Sequence, residues 1–175
     1  RIHLDGARVF NAAVKLNVDA SEITQYFDSA SICLSKGLAA PVGSLLLGSE
    51  SLIRSARRWR KMLGGGMRQA GILAAAGMLA LDEQVDKLAI DHDNTQYLAQ
   101  QLLTLPEFTF DLDSVQTNMI FTQYTGKDGK ALSAYLRTKG IIISASSAIR
   151  FVVHQDITVA AIDFLIAEIK TFHSK

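Results

Sequence analysis

The sequence predicts an α/β fold, and two kinds of pattern lead to that prediction. Short apolar runs bounded by turn residues are typical of buried strands, and they alternate with segments whose apolar residues recur at helical spacing. The composition supports a folded core, because 49% of the 175 residues are hydrophobic and 20% are charged. This length suits one domain, or one domain with an appendage, and the composition excludes a disordered or fibrous chain.

The first predicted elements are a strand over 2–5 and a helix that begins at Gly6. A short helix over 21–26 follows, with Ser and Glu suited to its first turn. Apolar runs at 31–34 and 42–48 predict two buried strands joined by a tight connection of small residues. The apolar face of the first helix consists of Ala7, Phe10, Ala13, Val14 and Leu16.

The middle of the chain is predicted to be helical. Residues 49–62 predict a basic helix, which the glycines at 64–66 end. Residues 69–81 are almost wholly apolar but too short for a bilayer, which needs about 20 residues, so they predict a buried core helix. Residues 82–103 predict an amphipathic helix that ends before Pro106.

The pattern after Pro106 predicts a small α/β domain. We expect a strand at 117–124, a helix at 128–139, two strands and a closing helix, in the order βαββα. The two further strands are predicted at 141–144 and 150–153, and the closing helix at 157–172.

Charge and cysteine content restrict the function classes. The formal net charge is +1, so no global field attracts nucleic acid or an anionic membrane. The single Cys33 excludes an internal disulfide framework and a zinc site built on cysteines, and it favours a reducing, cytoplasmic setting. Residues that read as a buried strand follow Arg1 directly, so we expect a chain cut inside a folded unit.

Asp5 is the last residue of a predicted buried strand, and Lys36 closely follows another. Burial favours the neutral form of a lysine amine, and a neutral amine forms a Schiff base with an aldehyde. The alternative for Lys36 is a lysine in a surface turn. Asp5 lies where α/β sheets bind ligands and is suited to hold a protonated heterocyclic nitrogen, or else it caps the following helix.

Two arginines are candidates for binding a carboxylate. Arg8 lies one turn into the first helix, where a guanidinium suits bidentate recognition, unless it is a solvated first-turn residue. Arg150 opens an apolar strand, and it lies either at the exposed end of that strand or in a cleft between domains. Both interpretations remain open for each arginine on the sequence pattern alone.

A run of positive charge follows the predicted strands. Six of the 18 cationic residues fall between 54 and 68, and no Asp or Glu occurs from 51 to 81. A solvated basic face, a nucleic-acid patch beside Trp59, and an anion site formed with glycines 64–66 all fit this pattern. The six residues are Arg54, Arg57, Arg58, Arg60, Lys61 and Arg68.

Three motifs together resemble the low-specificity L-threonine aldolases. They are HLDGAR at 3–8, CLSKG at 33–37 and GGGMRQAG at 64–71, and the likeness continues through 117–121 and 149–154. Members of this family are pyridoxal-phosphate enzymes of the aspartate-aminotransferase fold, which is pyridoxal-phosphate fold type I. The resemblance implies the latter part of a large cofactor-binding domain followed by a small C-terminal α/β domain.

The resemblance implies a role for each of five residues. Lys36 matches the lysine that holds pyridoxal phosphate as a Schiff base, and Asp5 matches the carboxylate that keeps the pyridinium nitrogen protonated. Arg8 and Arg150 match the arginines that bind the substrate carboxylate from the two domains. Ser35 matches a residue that contacts the phosphate, and no metal belongs to the implied site.

The implied activity is the cleavage of L-threonine or L-allo-threonine to glycine and acetaldehyde, through an external aldimine of the cofactor. Lys61 and Arg68 match basic residues that reach the cofactor region of a neighbouring subunit in the family's homotetramer. The implied enzyme is cytoplasmic, acts on a small amino acid, and has neither nucleic acid nor a membrane as a partner.

The resemblance also implies a domain division, with 1–104 as part of the large domain and its linking helix and 105–175 as the small domain. Complete family members are much longer than this chain, and their phosphate-binding cup and stacking histidine precede it. We therefore expect the chain alone to be inactive and to need an N-terminal fragment of the same enzyme as its partner. The general base is expected in that fragment.

Two other functional interpretations remain open. Asp5 and Lys36 do not select a reaction, so another lyase of fold type I that catalyses β-elimination also fits them. The alternative that is not an enzyme is a basic module that binds a polyanion through residues 54–68. Such a module would bind polyanions with a steep salt dependence and would be indifferent to pyridoxal phosphate.

Overall fold

Two sheets, each with its own helices, organise the molecule. The computed structural model describes residues 1–126, 128–144 and 146–174. It divides into a first unit, Arg1–Leu88, and a second unit, Ala89–Lys175. Each unit contains a three-stranded sheet and a hydrophobic core of its own, which confirms the predicted α/β class.

The first sheet joins two parallel strands to one antiparallel strand. β1 (His3–Gly6) pairs in parallel with β2 (Ser29–Cys33), and β2 pairs antiparallel with β3 (Ser44–Gly48). A parallel pair needs a crossover connection, and helices α1 (Val9–Leu16) and α2 (Ala20–Thr24) form it. All five elements lie close to their predicted positions.

The buried face of α1 is shorter than predicted. Ala13 is buried, and Phe10 and Val14 pack against the core of the first unit. Leu16, which the helical spacing places on the same face, is 64% exposed. The helix ends at Leu16, and Asn17 adopts the left-handed conformation with φ of 54°, so the chain turns away from the core at this point.

Three helices follow the first sheet. α3 (Glu50–Met62) matches the predicted basic helix. α4 (Gly71–Glu83) and α5 (Leu88–Leu102) differ from the predicted pair at 69–81 and 82–103, because α4 runs further and a turn separates it from α5. Within the described residues, no helix combines the length and the apolar character needed to cross a bilayer.

Two apolar segments that we predicted to be buried are exposed on the first unit. All five residues of β3 are exposed, and α4 buries only Gly77 and Ala80. Ile72 and Met78 of α4 are 78% and 65% exposed. Apolar composition predicts burial without specifying the surface that provides it, and among the described residues of this unit none covers these side chains.

The second sheet is wholly antiparallel. Its strands are β4 (Phe108–Thr109), β5 (Met119–Tyr124) and β6 (Ala148–Val152), in that order. Helices α6 (Gly129–Thr138) and α7 (Val159–His173) contribute to its core. Strands β5 and β6 and helices α6 and α7 confirm predicted elements. Strand β4 was not predicted, because two residues are too few to show a strand period.

Side-chain alternation decides which residues of the second sheet are buried. Ile120 of β5 and Ile149 and Phe151 of β6 face the core. The residues between them, Phe121 and Arg150, face the opposite side and are exposed. The helices complete the core with Leu132, Leu136, Ile162, Ile166 and Ile169.

The strand predicted at 141–144 does not form, so that prediction is wrong. Ile141 and Ile143 are partly buried against the core of the second unit, whereas Ile142 is 77% exposed. The Ser133 hydroxyl of α6 donates a hydrogen bond to the Ile143 carbonyl oxygen at 2.7 Å. A side chain thus takes the place of a neighbouring strand, and the β-branched run alone did not reveal this.

Asp91 is a buried carboxylate on α5. It is 2% exposed, and burial raises its pKa to about 6. The nearby His154 opposes this increase in the pKa, and the nearby Asp156 adds to it. Helix α5 therefore carries a group in the second unit whose charge is unfavourable in the folded state at neutral pH.

We expect Asp91→Asn to raise the free energy of unfolding at pH 7. The folded-state pKa of about 6 lies above the ordinary value of 3.8, so the folded state binds the proton more tightly than the unfolded state. The stabilisation by this proton is complete below about pH 4 and is lost as the pH rises through 6. Removing the charge of Asp91 should raise the free energy of unfolding by up to about 3 kcal/mol at pH 7.

Urea unfolding followed by far-UV circular dichroism measures this difference at pH 7 and at pH 4. The gain of Asp91→Asn over the unsubstituted chain should shrink at the lower pH. Asp93→Asn is the matched control, because Asp93 is exposed on the same helix. A gain of equal size at both pH values would contradict the interpretation that the buried charge is its source.

Candidate active site

The carboxyl ends of β1 and β2 lie at one edge of the first sheet, because the two strands are parallel. Asp5 lies opposite Ser31 and Gly6 opposite Ile32 in the register. A Cβ atom on Gly6 would lie 2.9 Å from the Ser31 carbonyl oxygen, so this close approach of the strands requires glycine. Open α/β sheets bind ligands at such an edge, and Lys36 follows β2 there.

Asp5 is exposed at this edge, since β1 buries only Gly6. Its Oδ1 accepts a hydrogen bond from the Ala7 backbone N–H at 3.2 Å, which stabilises the turn into α1. The N-cap position of α1 is Arg8, and no side chain caps the helix. Asp5 is therefore not the N-cap of α1, and its Oδ2 has no hydrogen-bond partner among the described residues.

Arg8 and Lys36 line one small cleft beside this edge. The cleft lies between the start of α1 and the turn after β2, and Asn11 and Cys33 also line it. Arg8 is partly buried, and its Nε is fully buried without a hydrogen-bond partner in the described part of the chain. A buried guanidinium nitrogen without a hydrogen-bond partner is costly, so Arg8 carries unsatisfied hydrogen-bonding capacity beside this cleft.

The Lys36 side chain is exposed in a turn, so burial at the end of a strand does not desolvate its amine and the alternative of a surface-turn lysine describes this structure. Its backbone carbonyl accepts a hydrogen bond from Ala39 N–H at 2.9 Å, and Ala39 has a φ of 58°. The chain thus turns sharply directly after β2, and the turn presents the ammonium group outward. The apolar run before Lys36 predicted that the residue lies at the end of a strand, but it did not predict that its side chain is exposed.

Sequence reasoning missed Cys33 as a member of this cleft. Its Sγ lies 3.4 Å from the Ser35 hydroxyl. Burial raises the pKa of the Cys33 thiol, but the hydrogen bonds from Ser35 and Ser44 and the charge of Lys36 outweigh burial and lower it. The available signal was the spacing of Cys33, Ser35 and Lys36 at the end of one strand.

Lys61 and Arg68 lie elsewhere on the first unit and are exposed. Lys61 is in the last turn of α3, and its side chain packs over Gly66, where a Cβ atom would collide with it. Arg68 follows in the loop before α4. No described hydrogen bond, ion pair or cleft joins either residue to Lys36.

Arg150 is exposed on β6 of the second unit, directly opposite Phe121 of β5 in the register. It lines a groove of about 790 Å³ together with Lys139, Ile142 and Phe164. No carboxylate lies within ion-pair distance of Arg150 among the described residues. The guanidinium of Arg150 is therefore available to an anion.

Comparisons with known proteins agree with this arrangement. The family model of the beta-eliminating lyases matches residues 1–125. A low specificity L-threonine aldolase of Escherichia coli O157:H7 is 49% identical over 157 residues, which are 90% of this chain and 46% of that protein. A low-specificity L-threonine aldolase of Arabidopsis thaliana is 41% identical over 174 residues, which are 95% and 48% of the two chains. The chain thus spans about half the length of these curated relatives.

A solved structure from Exiguobacterium sp. 255-15, a candidate aromatic amino acid beta-eliminating lyase/threonine aldolase, has the same fold. Its TM-score is 0.82 at 22% identity, and the match covers 98% of this chain and 52% of that one. The predicted fold class, pyridoxal-phosphate fold type I, is confirmed, and so is the resemblance to the low-specificity L-threonine aldolases. Since the family model matches well over half of its residues, the chain belongs to the beta-eliminating lyase family.

Proposed function

We propose that this chain supplies about half of a pyridoxal-phosphate-dependent aldehyde-lyase that cleaves L-threonine and L-allo-threonine to glycine and acetaldehyde. One observation carries the proposal. Asp5, Arg8 and Lys36 lie around one edge of the first sheet in a chain that is 49% identical to an Escherichia coli threonine aldolase. The remaining length of such relatives would complete the site.

The residues at this edge fit pyridoxal phosphate. The cofactor needs an amine for its aldehyde carbon, a carboxylate for its pyridinium nitrogen and donors for its phosphate. Lys36 offers an exposed amine, and Asp5 offers a carboxylate oxygen with no described partner. The buried Arg8 Nε also lacks a partner in the described residues. These three residues support the proposal that this edge binds the aldehyde carbon and the pyridinium nitrogen of the cofactor, with Arg8 beside them for the substrate carboxylate.

When bound, pyridoxal phosphate would accept the electrons released as the Cα–Cβ bond of the substrate breaks. Lys36 Nζ would be the covalent attachment point. The Asp5 carboxylate would hold a proton on the pyridinium nitrogen by charge attraction. Arg8 and Arg150 would bind the substrate carboxylate and so orient the bond that breaks, since a guanidinium binds a carboxylate through two parallel hydrogen bonds.

The proposed assembly extends beyond these four residues. Ser35 would donate to the cofactor phosphate, and Lys61 and Arg68 would contribute positive charge to the cofactor region of a neighbouring subunit in a cytoplasmic homotetramer. We retain the division into a large-domain part, 1–104, and a small domain, 105–175, for the complete protein. The base that removes the hydroxyl proton would come from the N-terminal half, so the chain alone would be inactive.

We expect Lys36→Ala to abolish cofactor attachment. The test uses a hybrid enzyme in which this chain replaces the stretch it matches in the Escherichia coli relative. The hybrid should show the visible absorption band of bound pyridoxal phosphate, and Lys36→Ala should lose it because Lys36 is the only lysine among the described residues that line this cleft. Lys15→Ala is the matched control, since Lys15 is exposed on α1 of the same unit. A band that survives Lys36→Ala refutes the proposal.

The products of the hybrid enzyme distinguish the proposed reaction from β-elimination. With L-threonine as substrate, we expect glycine and acetaldehyde in equal amounts, which amino-acid chromatography and an aldehyde assay measure. Pyruvate released from serine or cysteine, without acetaldehyde from threonine, would instead identify a β-eliminating enzyme of the same fold. The 175-residue chain without the complementary half should release neither set of products.

We expect Lys61→Ala and Arg68→Ala to weaken cofactor binding without changing the products. Each would remove one charge-assisted contact, which contributes about 1.5 kcal/mol and corresponds to a roughly tenfold increase in the Kd of the cofactor. Titration of the cofactor-free hybrid with pyridoxal phosphate measures this Kd. Arg57→Ala, on the same helix, is the control, and an equal effect of all three substitutions would indicate only a general loss of positive charge.

A further inference from the structure

Phe121 and Arg150 form a cross-strand pair on the outer face of the second sheet. β5 and β6 are antiparallel, and the register places Phe121 directly opposite Arg150. Directly opposed residues have Cβ atoms about 5 Å apart and side chains on the same face. The pair therefore lies together on the side of the sheet away from the core, because Ile120 and Ile149 occupy the inner side.

Phe121 is unusual among its neighbours on this face. It is 63% exposed, although Phe is one of the residues that gain most from burial. The other apolar residues of the two strands on this face, Met119 of β5 and Val152 of β6, are partly buried, whereas Phe121 is not. Phe121 lies opposite Arg150, which is the cationic residue of β6. This placement suggests that the ring interacts with Arg150 rather than packing in the core.

Both residues line the same open cleft, of about 400 Å³. Asp111 is the acidic residue of this cleft, and its Oδ1 accepts a hydrogen bond from Asp113 N–H at 3.0 Å. That bond caps a short 3₁₀ helix, Leu112–Ser114, and Asp111 makes no ion pair with Arg150. Within the described residues, the cleft thus combines an aromatic ring with a guanidinium that no carboxylate neutralises.

We propose that Phe121 is a positioning residue for Arg150: its ring restricts the arginine side chain and shields the bond between the guanidinium and the substrate carboxylate from water. This inference rests on the proposed function, which assigns the carboxylate to Arg150. A free arginine side chain carries about 2 kcal/mol of rotamer entropy, and a neighbouring ring reduces what is lost on binding. Displacing water also lowers the local dielectric constant and strengthens the ion pair.

The 175-residue chain itself gives a direct test of the proposed contact between the Phe121 ring and the Arg150 side chain. The ring current of Phe121 should shift the NMR resonances of the Arg150 Cδ protons, and Phe121→Leu should remove this shift while keeping an apolar side chain. Gln123→Ala is the matched control, because Gln123 points from the same face of β5 and lies opposite Ala148. Arg150 resonances that respond equally to both substitutions, or to neither, would overturn the inference.

The hybrid enzyme tests the consequence for binding. Phe121→Ala should raise the KM for L-threonine about threefold with kcat little changed, since a directly opposed cross-strand pair contributes about 0.2–1 kcal/mol. Phe121→Tyr should restore the KM, because it keeps the ring. A merely structural role would lower the yield of folded enzyme and would not separate KM from kcat in this way.

A double-mutant cycle separates this inference from the proposed function. Arg150→Lys alone should raise the KM, and Phe121→Ala should add little in the Arg150→Lys background because the guanidinium that the ring positions for the carboxylate is already lost. Fully additive effects would refute the positioning role while leaving Arg150 as the carboxylate ligand. An unchanged KM in Arg150→Lys would instead refute the proposed role of Arg150, whatever Phe121 does.

Discussion

The parallel pairing of β1 with β2 is the constraint on which the candidate site depends. Two parallel strands direct their carboxyl ends to the same edge, so residues about 30 positions apart in sequence become neighbours. The crossover through α1 and α2 is long enough to permit this pairing, and Gly6 allows the backbones to approach closely. Arg8 and Lys36 share a cleft because α1 leaves this same edge.

Much of the fold could be predicted from the sequence, and the failures share a physical cause. The helical and strand periods located β2, α3 and α7 because each period reflects local backbone geometry. Burial of β3 and α4 was predicted wrongly, because burial depends on which surface lies opposite. The prediction of a strand at 141–144 was wrong for a similar reason, because a strand requires a neighbouring strand to pair with. Here the Ser133 hydroxyl donates a hydrogen bond to the Ile143 carbonyl oxygen instead.

For the candidate site, the sequence was informative about positions and less so about environment. The order of strands and turns located Asp5 and Lys36 at a sheet edge, but the exposure of Lys36 depends on residues distant in the chain. The Cys33 thiol was missed because its lowered pKa arises from Ser35, Ser44 and the Lys36 charge acting together against burial. The spacing after Cys33 reveals Ser35 and Lys36, whereas the contribution of Ser44, which lies opposite Cys33 on β3, requires three-dimensional coordinates.

The exposed leucines of β3 also bear on how this polypeptide behaves during synthesis. Leu45, Leu46 and Leu47 alternate between the two faces of the strand, so both faces and the unpaired edge of β3 present apolar or hydrogen-bonding surface. Edge strands of this kind pair with one another between molecules. Until another surface covers β3, pairing between molecules at this edge competes with the folding of the chain.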